Sequence, residues 1–272
     1  MALDLMYITN QPEIAKLASE AGVNRIFVDM EYIGKDIRQA NLDTVQNHHT
    51  IDDIKEIHQL RLAAQTMARI NPIYEHSIQE INESIEAGAE ILMLPYFKNP
   101  REVKTFVDAV QGRAKVSLLL ETKEAVENLP EIVAISGIDE IHIGLNDLHL
   151  SYGNQFMFEP MTNGLVEHIV AIIKSSPIKR FGIGGISRLG TGKVPAEMII
   201  CEHYRLGSSQ TILSRSFLNL EHQFDLNQAE TIFQQGVAEI REFEAEIAQK
   251  DDLFYDNAHQ KLVQAIADVV GN

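Results

Sequence analysis

The chain has 272 residues, 45% hydrophobic and 23% charged, which fits one α/β barrel of about 250 residues with a sizeable core. A formal charge of −16 with no offsetting basic stripe excludes nucleic acid and anionic membranes as partners. The single cysteine, Cys201, excludes an internal disulfide framework, and neither a basic leader nor a run of roughly 18 apolar residues is seen, so a cytoplasmic protein is expected.

Short apolar, β-branched runs alternate with helical patterns. Strands are predicted at residues 4–8, 25–30, 64–69, 90–95, 115–121, 140–145, 181–186 and 210–214. Helices are predicted between them at 12–20, 51–60, 77–87, 100–110, 123–134, 161–174 and 195–204. Gly22 and Gly88 mark helix C-terminal caps, and Asn99-Pro100 reads as a cap followed by proline in the first turn. Right-handed crossovers between such units predict a closed (β/α)₈ TIM barrel. An open doubly wound sheet is the rival, but the turn after the first strand, Thr9-Asn10-Gln11-Pro12, lacks G-x-G-x-x-G. One domain over 1–272 is expected, with the barrel to about residue 222 and additional C-terminal helices over about 223–272. Those helices could form an arm against another subunit or simply cover the barrel. Residues 31–50 form a long polar loop on the face where barrels build their sites.

The chemistry-bearing residues cluster at strand ends. Glu121 closes the fifth predicted strand and Asp147 follows the sixth, so one βα repeat separates two carboxylates on the same rim. Adjacent carboxylates repel, and a site that keeps both ionised usually holds a cation. Two acidic oxygens with open positions suit Mg²⁺, Mn²⁺ or Co²⁺, without choosing among them. The competing reading has Glu121 capping the next helix and Asp147 capping a turn. Arg69 ends the third strand, where a fixed guanidinium can stabilise enolate charge or pair with a neighbouring acid. Gly144, Leu145 and Asn146 bring backbone N–H groups near Asp147, where a substrate carboxylate could bind.

The segments Leu118-Leu-Leu-Glu121-Thr and Gly137-Ile-Asp-Glu-Ile-His-Ile-Gly-Leu-Asn-Asp147-Leu resemble the HpcH/HpaI aldolase and citrate lyase β-subunit family of metal-dependent barrels. The resemblance extends to Phe27-Val-Asp29-Met-Glu31, to Arg69 and to Glu86-Ala-Gly88-Ala-Glu-Ile-Leu-Met-Leu-Pro95, covering most of residues 5–155. It implies a divalent metal on Glu121 and Asp147, chelated by a 2-oxo acid such as pyruvate, with Arg69 holding the enolate as a C–C bond breaks or forms. It also implies a homo-oligomer. A Schiff-base aldolase fits less well, because Lys115 starts its strand and Lys123 falls at a helix start.

One position departs from the family. Its aldolases usually carry histidine directly after the glutamate of the second-strand motif, and here Tyr32 follows Glu31. A phenol, with an ordinary pKa near 10, is a poorer base at neutral pH. Tyr32 could serve as an acid or oxyanion donor, His48 or His49 could fold over the site from the long loop, or the chemistry could differ. The two histidines could equally be solvated. Beyond the shared region, the glycine-rich stretch Gly182–Lys193 follows the seventh strand, where barrels often bind phosphate. Arg188 and Lys193 would then bind a phosphate or carboxylate at the substrate's distal end, unless the stretch is only a flexible turn. Three functions follow: a 2-oxo-acid aldolase, an acyl-CoA lyase of the citrate or malyl type, and a barrel that binds a metal–oxo-acid complex without turnover.

Overall fold

Eight parallel strands close on themselves in chain order: β1 Asp4–Ile8, β2 Arg25–Asp29, β3 Gln65–Arg69, β4 Ile91–Leu94, β5 Lys115–Leu120, β6 Glu140–Ile143, β7 Arg180–Ile186 and β8 Gln210–Leu213. The computed structural model describes residues 2–35, 49–218 and 225–271. β8 pairs back onto β1, Asp4 lying opposite Gln210, so no strand edge is left open. The barrel interior is packed by Met6, Phe27, Met67, Ile91, Met93 and Leu119, which alternate with side chains facing the outer helices. That second set, with Ile26, Val28, Leu92, Leu118 and Ile141 among it, forms the larger core between sheet and helices. Burial on both faces is why the strands read as apolar runs.

Local chemistry sets most helix boundaries. Asn99 accepts the N–H groups of Arg101 and Glu102 at the start of Pro100–Val110. Thr50 and Asp53 form a reciprocal capping box at the start of Ile51–Gln59. Two expectations are corrected. The helix predicted over 123–134 is two pieces, Lys123–Glu127 and Leu129–Ile132, because Pro130 cannot donate to a continuing helix. The strand predicted over 140–145 stops at Ile143, and Gly144 instead precedes the helix Leu145–Ser151.

The C-terminal pair packs on its own barrel. Leu226–Ile247 lies against Pro12–Glu20 and Ala196–Leu206, the place of a helix following an eighth strand. Its Glu244 accepts the N–H of Leu3, and Arg241 donates to the Leu3 carbonyl. Asp252–Val270 packs on Ala196–Leu206. Among the described residues, no helix is long and apolar enough to cross a membrane.

Candidate functional site

Glu121 follows β5 and Gly144 follows β6, and the ladder between them continues as Gly144 N–H donates to the Leu120 carbonyl at 3.0 Å. The two expected carboxylates therefore stand at the C-terminal ends of neighbouring strands. Both are buried, Glu121 to 3% and Asp147 to 7% exposure. Thr122, not Glu121, caps the following helix by accepting the Ala125 N–H at 3.1 Å. This removes the capping explanation for Glu121. Glu121 Oε1 instead accepts the N–H of Tyr96, whose φ of +49° turns that amide into the rim.

Gly144 has a positional role. A β-carbon there would come within 2.8 Å of Glu121 Oε2, so the missing side chain keeps room beside that oxygen. Asp147 sits in the first turn of Leu145–Ser151, where amides have no intrahelical acceptor and acidic side chains are favoured. A hard divalent cation fits this donor set: two buried carboxylates on adjacent strand ends, with a glycine instead of a bulkier residue beside one of them. Among the described residues no third His, Cys, Asp or Glu joins them in a ligand cluster. Water and substrate would complete the coordination.

Across the rim, the ends of β2 and β3 carry a second polar cluster. Arg69 meets Asp29 in a bidentate pair, Nε to Oδ1 and Nη2 to Oδ2, each 2.7 Å. Its Nε also lies 3.4 Å from Glu31 Oε2. Burial works against this charge, but Asp29 and Glu31 outweigh it, and Glu121 adds to the same field, so the guanidinium pKa rises above its ordinary value. Lys35, buried as well, pairs with Asp29 at 3.1 Å and Glu31 at 3.6 Å. Lys123 is over half exposed and 3.9 Å from Glu127, at a helix start as expected.

Asn71 accepts the N–H groups of both Tyr32 and Ile33 at 3.0 Å and donates to Glu80 at 2.8 Å. The backbone after Glu31 is thus fixed, while the Tyr32 ring projects outward with 59% exposure. His49 stands just before the helix Ile51–Gln59, and its Nδ1 accepts the Asp29 N–H at 2.9 Å. An amide can only donate, so the proton of the neutral ring sits on Nε2. Burial lowers the His49 pKa, opposed by Asp29 and Asp53. His48 lies outside the described residues. Tyr32, His49, Asn71, Tyr74 and Glu80 line a cleft of about 470 Å³ beside this cluster; neither Glu121 nor Asp147 lines it.

Arg188 and Lys193 lie on the opposite part of the rim. Gly182 through Ile186 belong to β7 itself, so the connecting loop begins at Ser187. Thr191 donates to the Arg188 carbonyl, and Glu197 accepts the Gly190 N–H at 2.8 Å, so a carboxylate of the chain already occupies one loop amide. Arg188 Nε is buried with no hydrogen-bond partner among the described residues, and Lys193 is exposed. Arg205 pairs with Glu202 and Glu167 on the outer helices. The residues missed from sequence are Lys35, Asn71 and Tyr96, whose parts depend on contacts across strands. Only the i,i+4 spacing of Glu31 and Lys35 could have signalled one of them.

Comparison with known proteins agrees with the fold. Among solved structures, the HpcH/HpaI aldolase of Desulfitobacterium hafniense DCB-2 is similar in fold, at 17% identity and a TM-score of 0.62 over 89% of this chain and 93% of that one. A citrate lyase of Burkholderia xenovorans LB400 is 12% identical, with a TM-score of 0.57 over 100% of this chain and 93% of that one. A hydroxypyruvate/pyruvate aldolase of Sagittula stellata is 27% identical in an alignment of 103 residues, covering 27% of this chain and 41% of that protein. The chain thus spans about two fifths of the length of the curated relative it matches. The profile of the HpcH/HpaI aldolase/citrate lyase family matches residues 5–174, a span that holds Arg69, Glu121 and Asp147 and exceeds half the sequence. The chain belongs to the HpcH/HpaI aldolase/citrate lyase family.

Proposed function

We propose that the protein is a divalent-metal-dependent carbon–carbon lyase that works through an enolate. The observation carrying this reading is the pair of buried carboxylates, Glu121 and Asp147, on neighbouring strand ends beside a glycine. These residues would hold Mg²⁺, Mn²⁺ or Co²⁺, and the bound cation would supply Lewis-acid stabilisation of enolate charge. Arg69, pre-oriented by Asp29, keeps Nη1 without a hydrogen bond to any described residue and presents fixed positive charge to the same space. The first-turn amides of Leu145 and Asn146 receive a substrate carboxylate. Arg188 and Lys193 meet an anionic distal group. His49, neutral with its proton on Nε2, is the proton carrier beside Glu31 and Tyr32. The working assembly is a homo-oligomer.

Two substrate classes share this machinery, and cleavage of an acyl-CoA adduct of the citrate or malyl type has the better support. Tyr32 stands where an aldolase of the family would carry histidine, and its ring turns outward. A citrate lyase is similar in fold over 100% of this chain, C-terminal helices included. The pyruvate aldolase similarity covers 27% of the chain. The test is a paired panel, with and without Mn²⁺: malyl- and citryl-CoA for thioester products, 4-hydroxy-2-oxo acids for pyruvate. Turnover of the thioesters alone is expected. Pyruvate release would restore the aldolase, activity surviving EDTA would sink the metal, and silence across the panel would leave a binding protein.

A further inference from the structure

The glycine-rich run at the end of the barrel contains a bulge, and a histidine outside the catalytic scheme is bound to it. Gly182 pairs with Gln210, yet the next partners are Gly185 and Ile212, so β7 spends one residue more than β8. Gly184, at φ +44°, lies in that extra turn, and its carbonyl is 3.0 Å from His142 Nε2. A carbonyl only accepts, so Nε2 carries the proton. His142 is fully buried inside the barrel, and burial lowers its pKa to about 4, leaving the ring neutral at physiological pH.

Two glycines of the run, Gly182 and Gly184, have a steric reason. A β-carbon on Gly182 would fall 2.3 Å from His142 Nδ1 and 2.5 Å from Gln210 Cγ, so these side chains share the space it leaves. A β-carbon on Gly184 would fall 2.7 Å from Leu145 Cδ1. Leu145 is the first residue of the helix that carries Asp147, and it follows Gly144, which packs on Glu121. His142 also lies on the interior face of β6, two residues before Gly144.

We infer that His142 is a positioning residue for the carboxylate pair: its Nε2–H holds the bulged Gly184 carbonyl, and Gly184 in turn sets Leu145, and hence Asp147, relative to Glu121. Across the space that Gly182 leaves, the Gln210 amide and His142 Nδ1 are buried with no hydrogen-bond partner among the described residues, and one water would bridge an amide N–H to the Nδ1 lone pair. The inference rests on the proposed role of Glu121 and Asp147 in holding a cation.

The test reads Mn²⁺ affinity of the purified protein by electron paramagnetic resonance, alongside thermal melts. His142→Gln places an amide N–H where Nε2 stood and should bind Mn²⁺ within about twofold of the parent. His142→Asn is too short to reach Gly184, and His142→Phe has no donor. Both should weaken Mn²⁺ binding roughly three- to tenfold, less than or equal to the effect of losing a direct partner of a metal ligand. If the Phe variant does not fold, the Asn variant carries the comparison. Equal affinity in all folded variants overturns the positioning role while leaving the metal site intact. A parent that binds no Mn²⁺ overturns the metal site and the positioning role together.

Discussion

Two arginine–carboxylate pairs of nearly the same geometry lie at opposite ends of this barrel. At the N-terminal end, Arg25 donates Nη1 and Nη2 to the two oxygens of Glu140 at 2.5 and 2.8 Å, with side-chain exposures of 3% and 1%. At the C-terminal end, Arg69 donates Nε and Nη2 to Asp29 at 2.7 Å, with 14% of the arginine side chain still open. The first pair closes the floor. The second stands in the mouth, where Glu31 and the field of Glu121 reach the same guanidinium and Lys35 shares its carboxylates. Bidentate geometry therefore does not mark a functional arginine. What separates the two is position along the strands, because only the C-terminal ends open towards the loops that build sites.

The largest expected effect breaks the floor pair. Arg25→Met strands a buried carboxylate and should lower the unfolding free energy by about 3–5 kcal/mol in urea, while the double variant Arg25→Met/Glu140→Leu recovers most of it. Arg69→Met should behave the other way, because Asp29 keeps Lys35 at 3.1 Å. Its turnover should drop roughly 10²–10³-fold with a smaller change in stability. If Arg69→Met instead unfolds the protein as Arg25→Met does, the distinction between floor and mouth fails.

Acid titration sharpens the contrast further. His142, lowered by burial to about 4, stays neutral in the fold, whereas an unfolded chain takes up its proton near 6.5. A depressed histidine contributes stability above the unfolded value, and that contribution is lost as pH falls through 6.5 towards about 4. The loss is on the order of 3 kcal/mol. Unfolding free energies measured from pH 7 down to 5 should therefore fall, and less steeply in His142→Gln. Glu140 acts lower on the scale. Burial raises its pKa but the Arg25 bonds and charge win, so its stabilisation is present above the ordinary 4.5 and disappears at lower pH.

The smallest effect concerns Thr122. Thr122→Ala removes a cap and should cost about 1 kcal/mol in thermal or urea unfolding, with Mn²⁺ affinity unchanged. A large loss of Mn²⁺ binding there would show that the Thr122 cap also holds the rim glutamate in place.

Much of this protein was legible in its sequence because the determining physics is local. Strands buried on both faces must be apolar over their length, so β1 through β8 stand out as runs such as Val116 to Leu120. Caps depend on residues a turn apart, as at Asn99 and Thr50. Fixed strand ends also placed Glu121 and Asp147 on one rim. The helix beginning at Leu145 was hidden, since an apolar run does not say where its period changes.

What the tertiary structure decided was which charges and polar groups answer one another. Arg25 and Glu140 are 115 residues apart, and Arg69 and Asp29 are 40 apart on paired strands. No spacing rule tells one arginine from the other. The extra residue at Gly184 is likewise a matter of register between β7 and β8, and His142 read as one more residue of an apolar strand until that carbonyl came within 3.0 Å. Sequence sets periodicity and chain direction, whereas partner choice among buried polar groups is made only when the barrel closes, bringing distant parts of the chain together on strands about 5 Å apart or across the interior.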